Sequence, residues 1–507
     1  MSPSPARPPI LIVGAGPTGM TAALSLARSG IPCRVLEKRS SPGTSSRALG
    51  LQARSMEVLA GLGVTAEIER AAYRLRGSSI LRGRRTVVTM GWVPPESRFP
   101  HTYVLPQAGL EGILRRRLAA EGVRVEHGVE VTGVDTDLDG ATVRIVGGED
   151  IRADWVIGAD GSRSATRESM AIDLPARDTG EAYYLADAIL DLPLPLDDGA
   201  MWLGPEGPLM LMRLPGEEQL WRVFIDVSDT ERRGVLPALD AEVLSRLLDE
   251  RATAGIRVRA LQWTSVFRTR MGLADSYRTG HVLLAGDAAH VFPPFGGQGM
   301  NLGIQDAVNA AWRLASIIHG ADEQLLNAYE TERRPVAEAV IADVETRRRL
   351  YALRNPLARA GRDLLLAVGG RSRRAARAGS LQNSQLAISY RDRTPGGSQG
   401  PEPRPGDRAP HAMFGDMSLH ELFGPEHATL LLFGDHPEPV PTEGVRLRTL
   451  RLGSAEDPDG RSHERYGVRP GERAWVLVRP DGHISARGYG APVGLTAVAG
   501  PASPASR

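Results

Sequence analysis

The stretch that most constrains this chain lies close to its start. Four apolar residues, Ile10-Leu11-Ile12-Val13, run directly into Gly14-Ala15-Gly16-Pro17-Thr18-Gly19. A helical pattern follows, with Met20, Ala23, Leu24 and Ala27 spaced to share one face. Cys33-Arg34-Val35-Leu36-Glu37 then reads as a second strand. Strand, turn, helix and strand thus fit into roughly thirty residues. Each glycine has its own task. Gly14 permits the tight turn, Gly16 lets a pyrophosphate approach the backbone, and Gly19 lets helix and strand pack closely. The helix N-terminus faces the phosphates. Glu37 stands 23 residues after Gly14, where a carboxylate accepts hydrogen bonds from the ribose hydroxyls of an adenosine. This unit predicts a dinucleotide site, and does not by itself separate a flavin from a nicotinamide dinucleotide.

Two further glycine–aspartate turns end apolar strands. Trp155 to Gly158 leads into Ala159-Asp160-Gly161-Ser162-Arg163-Ser164, with Arg167 beyond. Alone, this segment equally suits an ordinary turn. Leu283-Leu284-Ala285 leads into Gly286-Asp287-Ala288-Ala289-His290, and a Gly-rich loop, Pro293 to Asn301, runs on into a helix predicted over 303–318. Asp287 falls where a polyol hydroxyl can be bonded. The loop offers backbone N–H groups at a helix start, suited to the negative charge a reduced flavin carries near N1.

Composition narrows the alternatives. At 507 residues the chain exceeds one core, and about 150 residues per domain suggests about three. A hydrophobic share of 42% argues against disorder of the whole. With 61 basic and 60 acidic residues the net charge is +1, which gives no reason to expect nucleic acid. Every basic residue but Lys38 is arginine. Under that bias the arginine clusters within 323–378 read as solvated faces of long helices. Cys33, the only cysteine, excludes an intramolecular disulfide and a four-cysteine zinc site. Histidine spacing suggests no metal site either. No run of eighteen apolar residues occurs, so no membrane span is expected. The glycines at 14, 16 and 19 argue against a signal peptide over 11–27, so a cytoplasmic enzyme is expected.

Taken together, the three motifs resemble those of the para-hydroxybenzoate hydroxylase-like FAD-dependent aromatic monooxygenases, over nearly the whole chain. The resemblance implies that Gly14, Gly16, Pro17, Thr18, Gly19, Glu37 and Lys38 hold the FAD adenosine and pyrophosphate. Ser45-Ser46-Arg47-Ala48-Leu49-Gly50-Leu51 matches the segment whose arginine, here Arg47, meets the flavin. Leu105-Pro106-Gln107 matches the segment whose glutamine bonds the ribityl and phosphate region. Val131 falls at an adenine contact made by the backbone. Asp160 and Gly161 correspond to a motif tied to both FAD and nicotinamide, and Asp287 to a ribityl contact. Gly299, Met300 and Asn301 fall where the flavin pyrimidine edge is held. Near the end, Tyr466-Gly467-Val468-Arg469-Pro470 and Leu477-Val478-Arg479-Pro480-Asp481-Gly482-His483 resemble the thioredoxin-like tail of aromatic polyketide hydroxylases and rifampicin-type monooxygenases. Many relatives have an aromatic residue where His483 stands. With Cys33 elsewhere, this tail cannot do dithiol chemistry.

The implied fold is α/β: a Rossmann-like FAD-binding domain over 1–75, 101–180 and 272–393, interrupted by an antiparallel-sheet substrate domain over 76–100 and 181–271. A linker over 394–410 and a thioredoxin-like domain over 411–507 complete it. The implied reaction is hydroxylation of a polycyclic, polyketide-type aromatic through a flavin C4a-hydroperoxide, with NADPH or NADH as reductant and O2 as oxidant. Met201, Met212, Trp221, Phe224, Pro294 and Phe295 are candidate substrate-lining residues. His101, His281 and His290 are candidate bases, none of them assigned. A Baeyer–Villiger or antibiotic-inactivating oxygenase stays open on the same scaffold. So do an FAD-dependent dehydrogenase or oxidase and a non-catalytic flavin-binding partner. A monomer or homodimer acting on a small molecule is expected.

Overall fold

The structure, a computed structural model, describes residues 8–43, 48–91, 94–193, 196, 198–234, 236–293, 295–369, 372–434, 446–469, 471–490 and 492. Arg47 and Pro294 lie outside the described residues, and so does the side chain of Phe295.

A six-stranded sheet draws its strands from residues 10–37, 125–158 and 278–284. Its order is Arg278–Thr279, Val282–Leu284, Trp155–Gly158, Ile10–Val13, Cys33–Glu37 and Val125–His127. All neighbours are parallel except the pair at the Arg278 edge. Strands buried on both faces read as continuous apolar runs. Here Ile10 and Ile12 face the helices Pro17–Arg28, Gln107–Ala120 and Gly299–Ile318. Leu11 and Val13 face a three-stranded antiparallel sheet through Val134, Ala141 and Val143.

A second sheet of eight strands is almost wholly antiparallel. It runs in the order His290–Val291, Arg257–Leu273, Arg177–Asp191, Leu220–Asp226, Gly207–Arg213, Gly199–Gly204, Gly77–Arg82 and Arg85–Gly91. Apart from bulges in its pairings, its side chains alternate between faces. Ala200, Trp202, Leu209, Leu211, Trp221, Val223 and Ile225 pack under the helix Ala241–Arg251 through Leu244 and Leu248. Tyr183, Leu185, Phe224 and Phe267 point the other way, toward Phe292 and the long helix Asn327–Tyr351. The strand Arg177–Asp191 crosses position 180, where the sequence suggested a boundary.

A third, mixed sheet closes the chain. Ala428–Phe433 pairs in parallel with Leu447–Leu452 and antiparallel with Ala474–Val478, which carries Ile484–Tyr489 at the edge. One side packs as a cluster around Leu431, Phe433 and Val476. The other, with Leu430, Leu432 and Leu477, packs on Trp312 of the Gly299–Ile318 helix. The connecting stretch 394–410 does not hang free at its far end. Gly406 and Ala409 donate backbone hydrogen bonds to Ile484 and Gly482, at 2.8 and 3.0 Å, and Ala409 is fully buried.

Candidate cofactor and substrate site

The glycine turn is closed at two positions and open at the third. Gly14 has φ +100°, and a Cβ there would stand 2.4 Å from the Ala159 carbonyl oxygen. A Cβ on Gly19 would stand 1.9 Å from the carbonyl oxygen of Gly14. On Gly16 it would meet nothing within 4 Å. The first two glycines let the turn fold onto its neighbours, and Gly16 leaves clear space above the N-terminus of the helix. Pro17 opens that helix, where a missing N–H costs nothing.

Glu37 anchors the turn. Its carboxylate accepts from Ala15 N at 2.9 Å and from Arg39 N and Nε at 3.0 Å each. Burial pushes the carboxyl pKa up, but these donors outweigh it and hold it below the ordinary value. Val129 N donates to the Glu37 carbonyl at 3.0 Å. This brings Val131, Val13 and Leu36 into one cluster. Lys38 is exposed beside them.

Asp287 has a different setting. It is reachable by water, yet flanked closely enough that desolvation pushes its carboxyl pKa up. Among the described residues none hydrogen-bonds its side chain. The turn that carries it, Gly286–Ala288, is wedged against the first helix. A Cβ on Gly286 would stand 2.6 Å, and one on Gly303 2.4 Å, from the Thr18 hydroxyl. Thr18 thus fills the gap where turn and helices meet.

Asp160 is committed otherwise. Its carboxylate accepts from Ser164 Oγ at 2.5 Å, Thr166 N at 3.0 Å and Thr166 Oγ1 at 3.1 Å, which ties it to the start of the short helix Ala165–Ser169, itself capped by Ser164. Space stays open around Gly161, where a Cβ would meet nothing within 4 Å. Arg167 ties this segment to the Gly286 turn, donating to the carbonyls of Ala288 at 3.1 Å and Ser162 at 3.2 Å.

Asn301 also has its side chain engaged. Its amide group donates to Gly50 O at 2.7 Å and Gly297 O at 2.6 Å, and its carbonyl accepts from Gln52 N at 2.8 Å. With both amide hydrogens spent, what this helix end offers a ligand is its main chain. The first N–H groups of a helix have no intrahelical partner, and Gly299, Met300 and Asn301 are the first three here. Gln107 donates its backbone N–H to Ala48 O at 3.1 Å and its amide to Glu111 Oε1 at 2.8 Å.

The candidate substrate residues divide by parity. Met201 pairs with Met210, Met210 with Phe224, and Phe224 with Leu185. These form one row across the face toward Phe292. Met212, Arg222, Asp187 and Trp263 form the next row. Arg222 pairs with Asp187, its second nitrogen at 2.9 Å, and lies over the Trp263 ring at 4.8 Å. Trp221 corrects the expectation. It is fully buried on the opposite face, under the helix Ala241–Arg251, because an odd step along a strand reverses the side chain. His290 is no free base either. It is buried, with Nε2 2.6 Å from Asp306 Oδ2.

Asp306, Arg333 and the polar groups around them were not singled out in the sequence. Their signal was present: Asp306, Asn309 and Arg313 are spaced three and four apart in an otherwise apolar helix. Such a stripe on a buried helix must find partners.

Asp287 with no hydrogen-bond partner among the described residues, open space at Gly16 and the N–H groups of a helix start suit a flavin dinucleotide, and these residues fit FAD. They define a dinucleotide-binding site, joined to the eight-stranded sheet through the strand His290–Val291 that follows the Gly286 turn. The comparisons narrow the class. Residues 7–344 match the family described as "FAD binding domain". The chain is 34% identical to 6-methylpretetramide 4-monooxygenase of Streptomyces rimosus, over 96% of this chain and 92% of that protein. It is also similar to the solved structure of anhydrotetracycline hydroxylase from Streptomyces rimosus, with TM-score 0.78, 28% identity and 95% and 96% of the two chains covered. For aklavinone-11 hydroxylase in complex with FAD and aklavinone the TM-score is 0.75, at 25% identity and 97% coverage of each chain. The chain belongs to the FAD-dependent aromatic monooxygenases. It is an enzyme that uses FAD, NAD(P)H and O2 to insert one oxygen atom.

Proposed function

We propose that the enzyme hydroxylates a polycyclic, polyketide-type aromatic. The observation that carries this reading is the row Met210, Phe224 and Leu185 set toward Phe292, flanked on the same sheet face by Met201 and Met212. It is broad and flexible, as thioether side chains suit irregular ring systems. Bound FAD supplies the chemistry, accepting reducing equivalents from NAD(P)H and activating O2 against an electron-rich ring. The chain's residues do the rest. Gly14, Gly16, Pro17, Thr18 and Gly19 receive the pyrophosphate, and Glu37, Lys38 and Val131 the adenosine. Asp287 accepts a hydrogen bond from a ribityl hydroxyl. Gly161, Gln107, Arg47, and the N–H groups of Gly299, Met300 and Asn301 complete the cofactor contacts. The sheet face excludes water from the reacting end, and the Arg222–Asp187 pair offers the one charged contact in its row to a substrate oxygen.

The C-terminal unit is read as thioredoxin-like. Its mixed sheet, with one parallel and two antiparallel pairings, supports that reading. The sole cysteine, Cys33, lies in the six-stranded sheet, where burial pushes its thiol up to about 12. The role of the unit is therefore structural.

NAD(P)H oxidation by the FAD-loaded enzyme, with and without a panel of phenolic polycycles under labelled O2, tests the function. Substrate-stimulated oxidation with one labelled oxygen in the product is expected. Turnover under argon with an artificial acceptor, and no labelled product in O2, would replace it by a dehydrogenase.

A further inference from the structure

The C-terminal unit reaches into the rest of the molecule through a continuous set of buried charges. Arg479 donates to both Glu332 oxygens, at 2.7 and 3.0 Å, and to Asp481 at 2.6 Å. Asn309 donates one amide group to Glu332 and Asp481, at 3.0 Å each. Arg313 pairs with Glu332 at 2.9 Å. Beside Glu332, Arg333 donates to Asp306 at 2.7 Å, to Tyr390 Oη at 2.8 Å and to Leu302 O at 3.2 Å. The Tyr390 ring lies 4.3 Å from that of His483 and under the Arg479 guanidinium at 5.3 Å.

Both ends of this set arrive at the cofactor site. Asp306 Oδ2 accepts the N–H of Gly286 at 3.2 Å, beside Asp287, and contacts His290 at 2.6 Å. On the other side Arg54 donates to the Asp481 carbonyl at 2.5 Å and meets His483 Nδ1 at 3.2 Å. Arg54 stands two residues after Gln52, whose N–H is held by Asn301. Four arginines (54, 313, 333, 479) face four carboxylates (Glu57, Asp306, Glu332, Asp481), all buried. A buried pair is a poor source of stability compared with apolar packing, but once one member is removed its partner is left charged and unpaired. Positions of the remaining groups must then change.

We infer that the segment Arg479–His483 is a positioning element of the cofactor site: through Glu332, Arg333, Asp306 and Arg54 it fixes the Gly286–Asp287 turn and the first turn of the Gly299–Ile318 helix. The inference rests on the reading of those two turns as flavin-holding. None of the C-terminal residues need touch the cofactor. The helix Gly299–Ile318 is the rigid member, with the cofactor end at Gly299 and the C-terminal unit docked at Asn309, Trp312 and Arg313.

The experiment uses the full chain and the variants Arg479→Met, Asp481→Asn and the milder Arg479→Lys. Amide hydrogen exchange of residues 283–302 is followed in the apo and FAD-loaded forms, and FAD affinity is read by flavin fluorescence. Faster exchange of that segment in the apo variants is expected, with FAD binding weakened by about tenfold and the visible circular dichroism of bound flavin altered. Rescue of exchange and affinity toward wild-type values in Arg479→Lys, relative to Arg479→Met, is the further expectation. If Arg479→Met does not fold, Asp481→Asn and Arg479→Lys carry the measurement. Unchanged exchange and affinity in folded variants, with only the melting temperature lowered, would overturn the inference. Absence of FAD protection over 283–302 in the wild type would instead overturn the reading of the turns.

Discussion

A single carboxylate shows how a site residue differs from a scaffold residue. Asp160 and Asp287 occupy similar glycine-flanked turns at strand ends, yet Asp160 accepts three hydrogen bonds from Ser164 and Thr166 at the start of a helix, and Asp287 has none from the described side chains and backbone. Desolvation raises the Asp287 carboxyl pKa. Asp287→Ala is expected to weaken FAD binding by about tenfold or more, the worth of a hydrogen bond to a charged group. The apo protein should melt no lower, as calorimetry will show. Parity makes a second pair of predictions. Phe224→Ala should raise KM for the aromatic substrate while the FAD affinity holds. Trp221→Phe should cost about 1–3 kcal/mol of stability, seen in denaturant unfolding, and leave KM alone.

Among the elements, the first turn and helix were the most legible in the sequence. Gly14, Gly16 and Gly19 differ sharply in what a methyl group would meet, and that gives a clean test. Gly14→Ala and Gly19→Ala should lose folded protein, because Cβ atoms would fall on backbone oxygens. Gly16→Ala should leave apo stability within about 0.5 kcal/mol and lower FAD affinity, measured by fluorescence titration. The four C-terminal strands were also legible: two are short apolar runs, Ala428–Phe433 and Ala474–Val478, and the other two lie between turn residues. Less so was what the helix Gly299–Ile318 does. Its apolar periodicity is plain, but periodicity says only that a face is buried. It does not say that Asp306, Asn309 and Arg313 meet partners on a distant helix and a distant sheet. Nor does a strand pattern tell Trp221 from Phe224 until the register of neighbouring strands is known. The side chain of Asn301 was similarly hidden: its partners, Gly50 and Gln52, lie about 250 residues earlier and only the fold brings them in.

For the whole molecule, the buried charges set the response to acid. Burial pushes the Glu57 carboxyl up, but Arg408 and Arg54 outweigh it and hold it down to about 2. Glu332 is likewise raised by burial and held down to about 2 by Arg313 and Arg479. Both lie below the ordinary 4.5, so the unfolded chain binds more protons as pH falls. Their contribution is fully present above about pH 4.5 and is lost on descent toward pH 2, on the order of 3 kcal/mol apiece. Urea unfolding of the apo protein at a series of pH values should show this slope, and the Glu332→Gln variant should show a shallower one.

The sulfur-rich face of the eight-stranded sheet also bears on the working life of the enzyme. If this face is the substrate surface proposed above, hydrogen peroxide released when a poorly fitting aromatic uncouples the reaction would meet Met201, Met210 and Met212 first. Conversion of a thioether to its sulfoxide replaces a pliant apolar group with a rigid polar one. On that reading the surface that accommodates bulky rings is also the one on which unproductive turnover leaves its mark, and wear should accumulate fastest on the substrates it handles worst.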